Sequence, residues 1–227
     1  MIKVFCFLTA HATATDADVR EALRHVGAPI TPGIRHEVRS LPLTRGTDSA
    51  GWAFGDAFGH AAVIELWLDD PAEWQLARAH IDGEIKDVLG DVCDAAHTTY
   101  LATRETVVVA NPVDYGSQPV KALFFPRRKP GTSVGQFGQH WATTHAAIVP
   151  HTPGLRRYVQ CHTLAEEYLT EARPAYDGVA ELWWNTRAEM VKALESTAFT
   201  EEQPADAALF VDPDSLVGFA ATEVRVK

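Results

Sequence analysis

The amino-acid sequence predicts an α+β fold composed of two tandem repeats, each with the element order βαββαβ. Two observations support this class. Segments of the first half recur in the second half in the same order, and stretches of strand and helix character alternate between them. With 227 residues, 46% hydrophobic and 22% charged, the chain is long enough and apolar enough to bury a sizeable core.

The internal repeat defines the domain organisation. Three segments of the first half have counterparts in the second half at nearly the same spacing: Ile2–Leu8 in Val120–Pro126, Glu65–Trp67 in Glu181–Trp183, and Ala102–Glu105 in Ala221–Glu223. Conserved order and spacing together indicate duplication more strongly than any one match does. The sequence therefore predicts an N-terminal repeat over residues 1–112 and a C-terminal repeat over residues 113–227.

Each repeat has the same succession of elements. The continuous apolar run 120–126 predicts a strand covered on both faces, Thr132 or Ser133 caps the following helix, and Thr186 caps the next one. For the second repeat the predicted strands are 120–126, 155–164, 179–185 and 218–226, with helices 132–147 and 187–197. For the first repeat they are 2–9, 34–43, 61–68 and 97–109, with helices 16–26 and 72–80.

The order βαββαβ is that of a ferredoxin-like unit, in which two helices cover one face of an antiparallel sheet. Residues such as Val63, Ile64 and Leu66 make both strand faces apolar, so the second face must also be covered. We therefore expect the two sheets to pack face to face as one intramolecular barrel. Val109–Pro119 is the predicted linker, and the polar stretch Thr44–His60 predicts a long loop at a pocket rim.

Charge and cysteine usage exclude several classes of partner. The net charge is −10, from 30 acidic and 20 basic residues, and Arg127–Lys129 is the one basic run that stands out. We expect neither nucleic acid nor a membrane as partner. The apolar N-terminal segment is too short to span a bilayer and is read as the first strand. The three cysteines form no disulfide or zinc pattern, which predicts reduced thiols and a cytoplasmic location.

A histidine pair marks the first helix of the second repeat. At about 100° per residue, Phe137 and Trp141 share an apolar stripe, while His140 and His145 lie on either side of it, roughly 140° apart. Both imidazoles then lie at the margin of the core. Partly desolvated imidazoles exchange protons near neutral pH, so this pattern predicts general acid–base catalysis.

The same region resembles a known family. The matching features are Lys121, the basic turn Arg127–Gly131, the motif Phe137-x-x-His140-Trp141-x-x-x-His145, Tyr158 and the closing Phe210–Pro213. They resemble the EthD-like branch of the dimeric α/β-barrel superfamily. The resemblance implies a pocket within the barrel for small hydrophobic, often aromatic or polyketide-like compounds. The helix of the first repeat carries only His25, which predicts a single site in the second repeat.

The candidate residues fall into two groups. The predicted catalytic residues are His140, His145, Tyr158 and Glu181, and the predicted substrate-binding residues are Phe137, Trp141, Tyr176, Asp177, Trp183 and His60. Tyr158 shares a strand face with Gln160 and His162, and it is either an ordinary strand tyrosine or a phenol donor to an oxyanion. A carboxylate inside an apolar strand needs a partner, so Glu181 and its counterpart Glu65 are either paired structurally, or Glu181 orients an imidazole.

No metal or cofactor is expected. The histidines form neither HxH nor HExxH, and a separation of five residues on a helix suits one ion poorly. Nucleotide, nicotinamide and serine-hydrolase motifs are likewise missing. The leading hypothesis is a cofactor-independent lyase or isomerase that eliminates water, formaldehyde or a similar group from an aromatic, phenolic or polyketide-like compound. A cofactor-free or haem-dependent monooxygenase, a non-catalytic binding protein, and homodimerisation stay open.

Overall fold

The computed structural model describes residues 1–25, 33–43, 59–170 and 173–226. The predicted loop Thr44–His60 lies outside the described residues except for Gly59 and His60. The strands are β1 Ile2–Leu8, β2 Ile34–Pro42, β3 Ala62–Leu68, β4 Thr99–Ala110, β5 Val120–Phe125, β6 Arg157–Thr163, β7 Gly178–Trp184 and β8 Val217–Arg225.

The helices lie between these strands in the predicted places, with one addition. They are α1 Asp16–His25, α2 Pro71–Leu89, α3 Val134–His140, α4 Ala146–Ile148, α5 Arg187–Leu194 and α6 Gln203–Phe210. Two π-helical turns are present, Trp141–His145 between α3 and α4 and Ala198–Glu202 before α6. Short 3₁₀ turns occur at Ala95–His97, Tyr115–Ser117, Val149–His151, Ala165–Leu169 and Pro213–Ser215. No helix among the described residues is both long and apolar enough to cross a membrane.

The helix α2 extends nine residues beyond the predicted span, to Leu89. Asp70 caps its start and forms a capping box with Glu73, and Pro71 occupies the first turn, where its missing N–H costs nothing. Buried residues then recur at helical spacing through Ile81, Ile85 and Leu89, which keeps one face of the helix on the core. The physical signal for the longer helix is thus in the sequence, and the shorter prediction was wrong.

The described chain forms two compact units. The first comprises Met1–Pro42, Gly59–Arg104 and the segment from Glu223, and the second consists mainly of Glu105–Thr222. In the first, β3 pairs with β1 and β2, and β1 pairs with β4, all antiparallel. In the second, β7 pairs with β5 and β6, and β5 pairs with β8, again antiparallel. Both units therefore have the same strand order, and the fold is α+β.

Strand alternation divides the second sheet into two chemically different faces. Along β7, Ala180 and Leu182 point to one side and Glu181 and Trp183 to the other, because successive side chains of a strand alternate. The face with Leu182 packs against α5, whose Met190 is fully buried in the same cluster. The opposite face is equally buried but carries charge. The division between the two faces therefore determines which side chains of this sheet can line a pocket under the helices.

Each unit buries one Lys–Glu pair at corresponding positions. Nζ of Lys3 lies 2.8 Å from Oε2 of Glu65, and Nζ of Lys121 lies 3.0 Å from Oε1 of Glu181. All four side chains are at most 1% exposed. Each ammonium also lies over the tryptophan two residues after the glutamate, at 4.3 and 5.1 Å from the ring centroid. The predicted structural pairing of Glu65 and Glu181 is confirmed.

We predict that Lys121→Met lowers the free energy of unfolding by about 3–5 kcal/mol, because it leaves the Glu181 carboxylate buried without its cation. Chemical denaturation measures the loss. Lys192→Met, on the exposed side of α5, makes the same side-chain change without burial and is the control, with an expected effect within about 0.5 kcal/mol. Equal effects of the two substitutions would contradict the importance of the buried pair.

Candidate active site

The histidine-bearing helix widens in its middle. Ser133 caps α3 in a capping box with Gln136, and the helix then passes through the π turn Trp141–His145 before α4. In a π turn the backbone hydrogen bonds connect residues five apart, so such residues lie above one another. His140 and His145 therefore project on the same side. The expectation that they diverge by the α-helical angle was wrong.

Both imidazoles bind one buried carboxylate. Nε2 of His140 lies 2.9 Å from Oδ1 of Asp206, and Nδ1 of His145 lies 2.8 Å from Oδ2. Asp206 is only 7% exposed. A carboxylate accepts hydrogen bonds and does not donate them, so each of these two ring nitrogens carries a proton. The opposite nitrogen of a neutral His145, Nε2, then holds a lone pair.

Burial favours the neutral form of His145. Its side chain is 13% exposed, and its ring meets the Phe210 ring edge-on at 5.4 Å. Burial lowers the pKa of His145, and the hydrogen bond and charge of Asp206 offset only part of that decrease. Among the residues that the structure describes, Nε2 has no hydrogen-bond partner. The ring is therefore a base with its proton-accepting nitrogen available.

Asp206 was not among the predicted site residues, because the sequence pattern predicted no helix within residues 198–217. The helix α6 follows a π turn, and its buried face carries the polar side chains of Gln203 and Asp206 before it reaches Phe210. An inward face with two polar residues gives no apolar stripe. The helical spacing of Gln203, Asp206 and Phe210, together with Pro204 in the first turn, was the available signal.

An apolar cavity of about 230 Å³ lies beside this cluster, within the second unit. The sheet contributes Phe124, Tyr158, Ala180 and Leu182 from its helix-covered face, and the helical segments contribute Trp141, His145, Gln203, Ala207 and Phe210. The cavity therefore lies between helices and sheet. The family resemblance had implied a pocket within the barrel. The opposite, charged face of this sheet does not line the cavity.

Gly178 makes room for the Trp141 wall of the cavity. A Cβ atom at this position would overlap the Trp141 ring and lie 2.7 Å from the carbonyl oxygen of Cys161. Only glycine lets the indole lie this close to the start of β7.

The hydroxyl of Tyr158 is oriented by two donors. The indole N–H of Trp141 and the amide Nε2 of Gln160 both donate to it, each at 3.0 Å. Gln160 is itself fixed by a 2.7 Å bond to the Trp141 carbonyl. With two N–H groups donating to its oxygen, the phenol has its own hydrogen left to donate. Burial raises the pKa of Tyr158, so this hydrogen is retained at neutral pH.

Two predicted site residues face away from the cavity. Glu181 bonds to Lys121 and accepts from Sγ of Cys161 at 3.2 Å on the opposite face of β7. Trp183, on the same face, lies against Lys121 and Arg157. The hypothesis that Glu181 orients an imidazole was therefore wrong, because Asp206 occupies that position. Trp183 does not line the cavity either.

The other predicted substrate-binding residues are spread around the second unit and beyond it. Phe137 packs behind the cavity wall, 5.4 Å from the Phe210 ring centroid. Tyr176 lies against Phe125, and Asp177 accepts from the backbone N–H of Arg128 at 2.7 Å.

His60 belongs to the first unit, where it lies beside Thr9 and the Phe7 ring. The structure therefore brings together His140, His145, Trp141 and Tyr158 within the second unit.

One group of potential metal ligands occurs among the described residues. Ligand atoms of Glu105, Cys161 and Glu181 lie within 4.8 Å of one another. The Lys121 ammonium already supplies a positive charge 3.0 Å from Glu181. A divalent cation would meet this ammonium as a like charge, so these residues fit an ion poorly.

Comparisons with known proteins agree with this architecture. An anthrone oxidase-like protein is 12% identical with a TM-score of 0.63, covering 99% of this chain and 93% of its own. A candidate monooxygenase from Lactobacillus acidophilus NCFM is 12% identical with a TM-score of 0.53, covering 100% of this chain and 94% of its own. A chlorite dismutase variant from Candidatus Nitrospira defluvii is 10% identical with a TM-score of 0.51, covering 98% and 90%.

These likenesses show the fold alone: an α+β chain with antiparallel sheets, similar in architecture to these solved structures. Residues 129–214 match the EthD domain model. This segment contains the motif Phe137-x-x-His140-Trp141-x-x-x-His145, so the predicted resemblance to the EthD-like family is confirmed for residues 129–214. A search of curated proteins found no match.

We predict that Asp206→Asn lowers the pKa of His145 further, because the carboxylate raises it in the intact protein. An NMR titration of the His145 ring protons measures the change. Glu202→Gln, which removes the carboxylate beside the exposed His151, is the matched control and should leave His145 unaffected. An unchanged pKa of His145 in Asp206→Asn would contradict the shared-carboxylate geometry.

Proposed function

We propose that the second unit is the active centre of an enzyme that removes a proton from a small, flat aromatic or phenolic compound. The observation that carries the proposal is a neutral imidazole with an available lone pair at the wall of an apolar cavity that also contains an oriented phenol donor. Acid and base in one dry site are what proton abstraction requires.

In the proposed mechanism, Nε2 of His145 takes a proton from a carbon next to a carbonyl group or an electron-rich ring. Asp206 accepts from Nδ1 and stabilises the imidazolium that forms, as the carboxylate does in triad-like sites. The hydroxyl of Tyr158 donates to the substrate oxygen on which negative charge develops. The apolar walls bind the ring and strengthen both interactions by excluding water.

We propose cofactor-free oxygenation as the reaction that follows. The carbanion adds to molecular oxygen, the hydroperoxide forms after protonation, and loss of water leaves a new carbonyl group. One oxygen atom enters the product and the other leaves as water. The names of the structural relatives, an anthrone oxidase-like protein and a candidate monooxygenase, support this choice over elimination.

A lyase or isomerase remains the second candidate, because the same proton abstraction begins an elimination or a double-bond shift. Elimination or isomerisation leaves oxygen unconsumed, so an oxygen electrode separates the two reactions.

The haem-dependent alternative fits the cavity poorly. The volume of about 230 Å³ is below the range typical of drug-sized ligands, roughly 300–1,000 Å³. Among the described residues, those that line this cavity include no lysine or arginine. No step of the proposed mechanism uses haem.

We also propose that each of the two units is a ferredoxin-like βαββαβ repeat, because both have the same antiparallel strand order. The support is the likeness to solved structures over 97–100% of the chain.

We predict that His145→Ala lowers turnover of an anthrone-type or naphtholic substrate by on the order of 10²–10⁴, because the base is removed. His140→Ala should have a smaller effect, since it removes only the second donor to Asp206. Initial rates of oxygen uptake measure both. His151→Ala, on an exposed histidine, is the control. Unchanged rates in His145→Ala would overturn the mechanism.

We predict that kcat/KM falls on the acid side with an apparent pKa below 6.5, the ordinary histidine value. Burial lowers the pKa of His145, so the basic form persists to lower pH and is lost only as the pH falls through the lowered value. A pH profile of kcat/KM tests this. An acid limb above 6.5 would assign the base to another group.

A further inference from the structure

A second, polar cavity lies in the same unit and has no part in the mechanism above. Its volume is about 510 Å³. The basic turn after β5 forms one wall, and the segment from Arg173 to Asp177 forms another, with Tyr168 and Asp212. Its lining includes four cationic side chains, Arg127, Arg128, Lys129 and Arg173. This is a local excess of positive charge in a chain of net charge −10.

Both carboxylates among the described residues of this polar cavity are already engaged within the protein. Asp177 accepts from the backbone N–H and guanidinium of Arg128 and, at 2.7 Å, from the hydroxyl of Tyr168. Asp212 caps the 3₁₀ turn that follows it, accepting from the backbone N–H of Asp214 at 3.2 Å. These bonds neutralise Arg128 but leave the charges of the remaining cations.

Neutral acceptors position two of those cations without cancelling their charge. Nε of Arg127 donates to the Ala175 carbonyl at 2.6 Å, and Nζ of Lys129 donates to the Ala208 carbonyl at 3.1 Å. A guanidinium has five N–H donors and an ammonium three, so each retains donors for a ligand. Arg127, Lys129 and Arg173 form no ion pair within the described part of the chain.

The polar cavity shares a wall with the apolar one. Pro126 lines the apolar cavity and Arg127, the next residue, lines the polar one; Val211 and Asp212 divide in the same way. A β-bridge between Arg128 and Val211 joins the two strips of chain, with a 2.9 Å bond from the Asp212 N–H to the Arg127 carbonyl. The residues that contact an aromatic ring in the apolar cavity are thus next in the chain to residues that line the polar cavity.

We infer that the polar cavity binds an oxyanion group, a carboxylate or a phosphate, attached by a short chain to the aromatic ring of the substrate. This inference rests on the proposed function and narrows its substrate class to acidic aromatic compounds. Arg127 and Arg173 present planar forks that match two oxygens of such a group, and Lys129 adds a point charge. The apolar cavity orients the ring, and the polar cavity fixes which edge of it faces His145.

Calorimetric titration of the full chain with matched naphthalene ligands tests the inference. The acid, 2-naphthylpropionate, should bind about tenfold or more tightly than its amide, because only the acid forms charge-assisted bonds. The preference should weaken as salt concentration rises. Naphthyl phosphate, as a third ligand, distinguishes a phosphate from a carboxylate site by which of the two binds more tightly.

The double variant Lys129→Met with Arg173→Gln should remove the preference for the acid and leave the affinity for the amide unchanged. Both residues are exposed, and Lys192→Met controls for the loss of a surface charge elsewhere. His145→Ala should keep the preference, so failure of the catalytic proposal would appear as missing turnover with the preference intact. Equal affinity for acid and amide in the unaltered protein, or binding of neither, would overturn the inference.

Discussion

The candidate site depends on one interaction: two imidazoles share the buried carboxylate of Asp206. That carboxylate fixes the tautomer of both rings, because it accepts a proton-bearing nitrogen from each. The arrangement requires the π turn Trp141–His145, which aligns residues five apart. An uninterrupted α-helix would place the two histidines on different sides, and one aspartate would not reach both.

The sheet of the second unit supports this site by separating charge from apolar surface. On one face of β7 the charges of Lys121 and Glu181 neutralise each other in the core. On the other face, Ala180 and Leu182 form a dry wall. Burial against this apolar surface lowers the pKa of His145 and raises the pKa of Tyr158. The same burial therefore keeps His145 available as a base and Tyr158 available as an acid.

Much of this architecture is predictable from the sequence. Apolar runs and capping residues located all eight strands of the described chain and most helices. Strand alternation put Tyr158, Gln160 and His162 on one face, and the repeated Glu65 and Glu181 indicated buried pairs.

Three features of the site could not be predicted from the sequence, each for a physical reason. The residues of Trp141–His145 do not indicate a π turn, because a helical periodicity calculation assumes α-helical geometry throughout. Asp206 is 61 residues from His145 along the chain, on a helix without an apolar stripe. An apolar strand buried on both faces does not reveal which face its one carboxylate occupies, so the side of Glu181 was undetermined.

The central claim is that His145 is a neutral base with its proton on Nδ1 and its lone pair on Nε2. Long-range ¹H–¹⁵N correlation spectra of the histidine ring at neutral pH measure this directly. We predict a protonated Nδ1 and an unprotonated Nε2. A proton on Nε2, in either the other tautomer or an imidazolium, would contradict it.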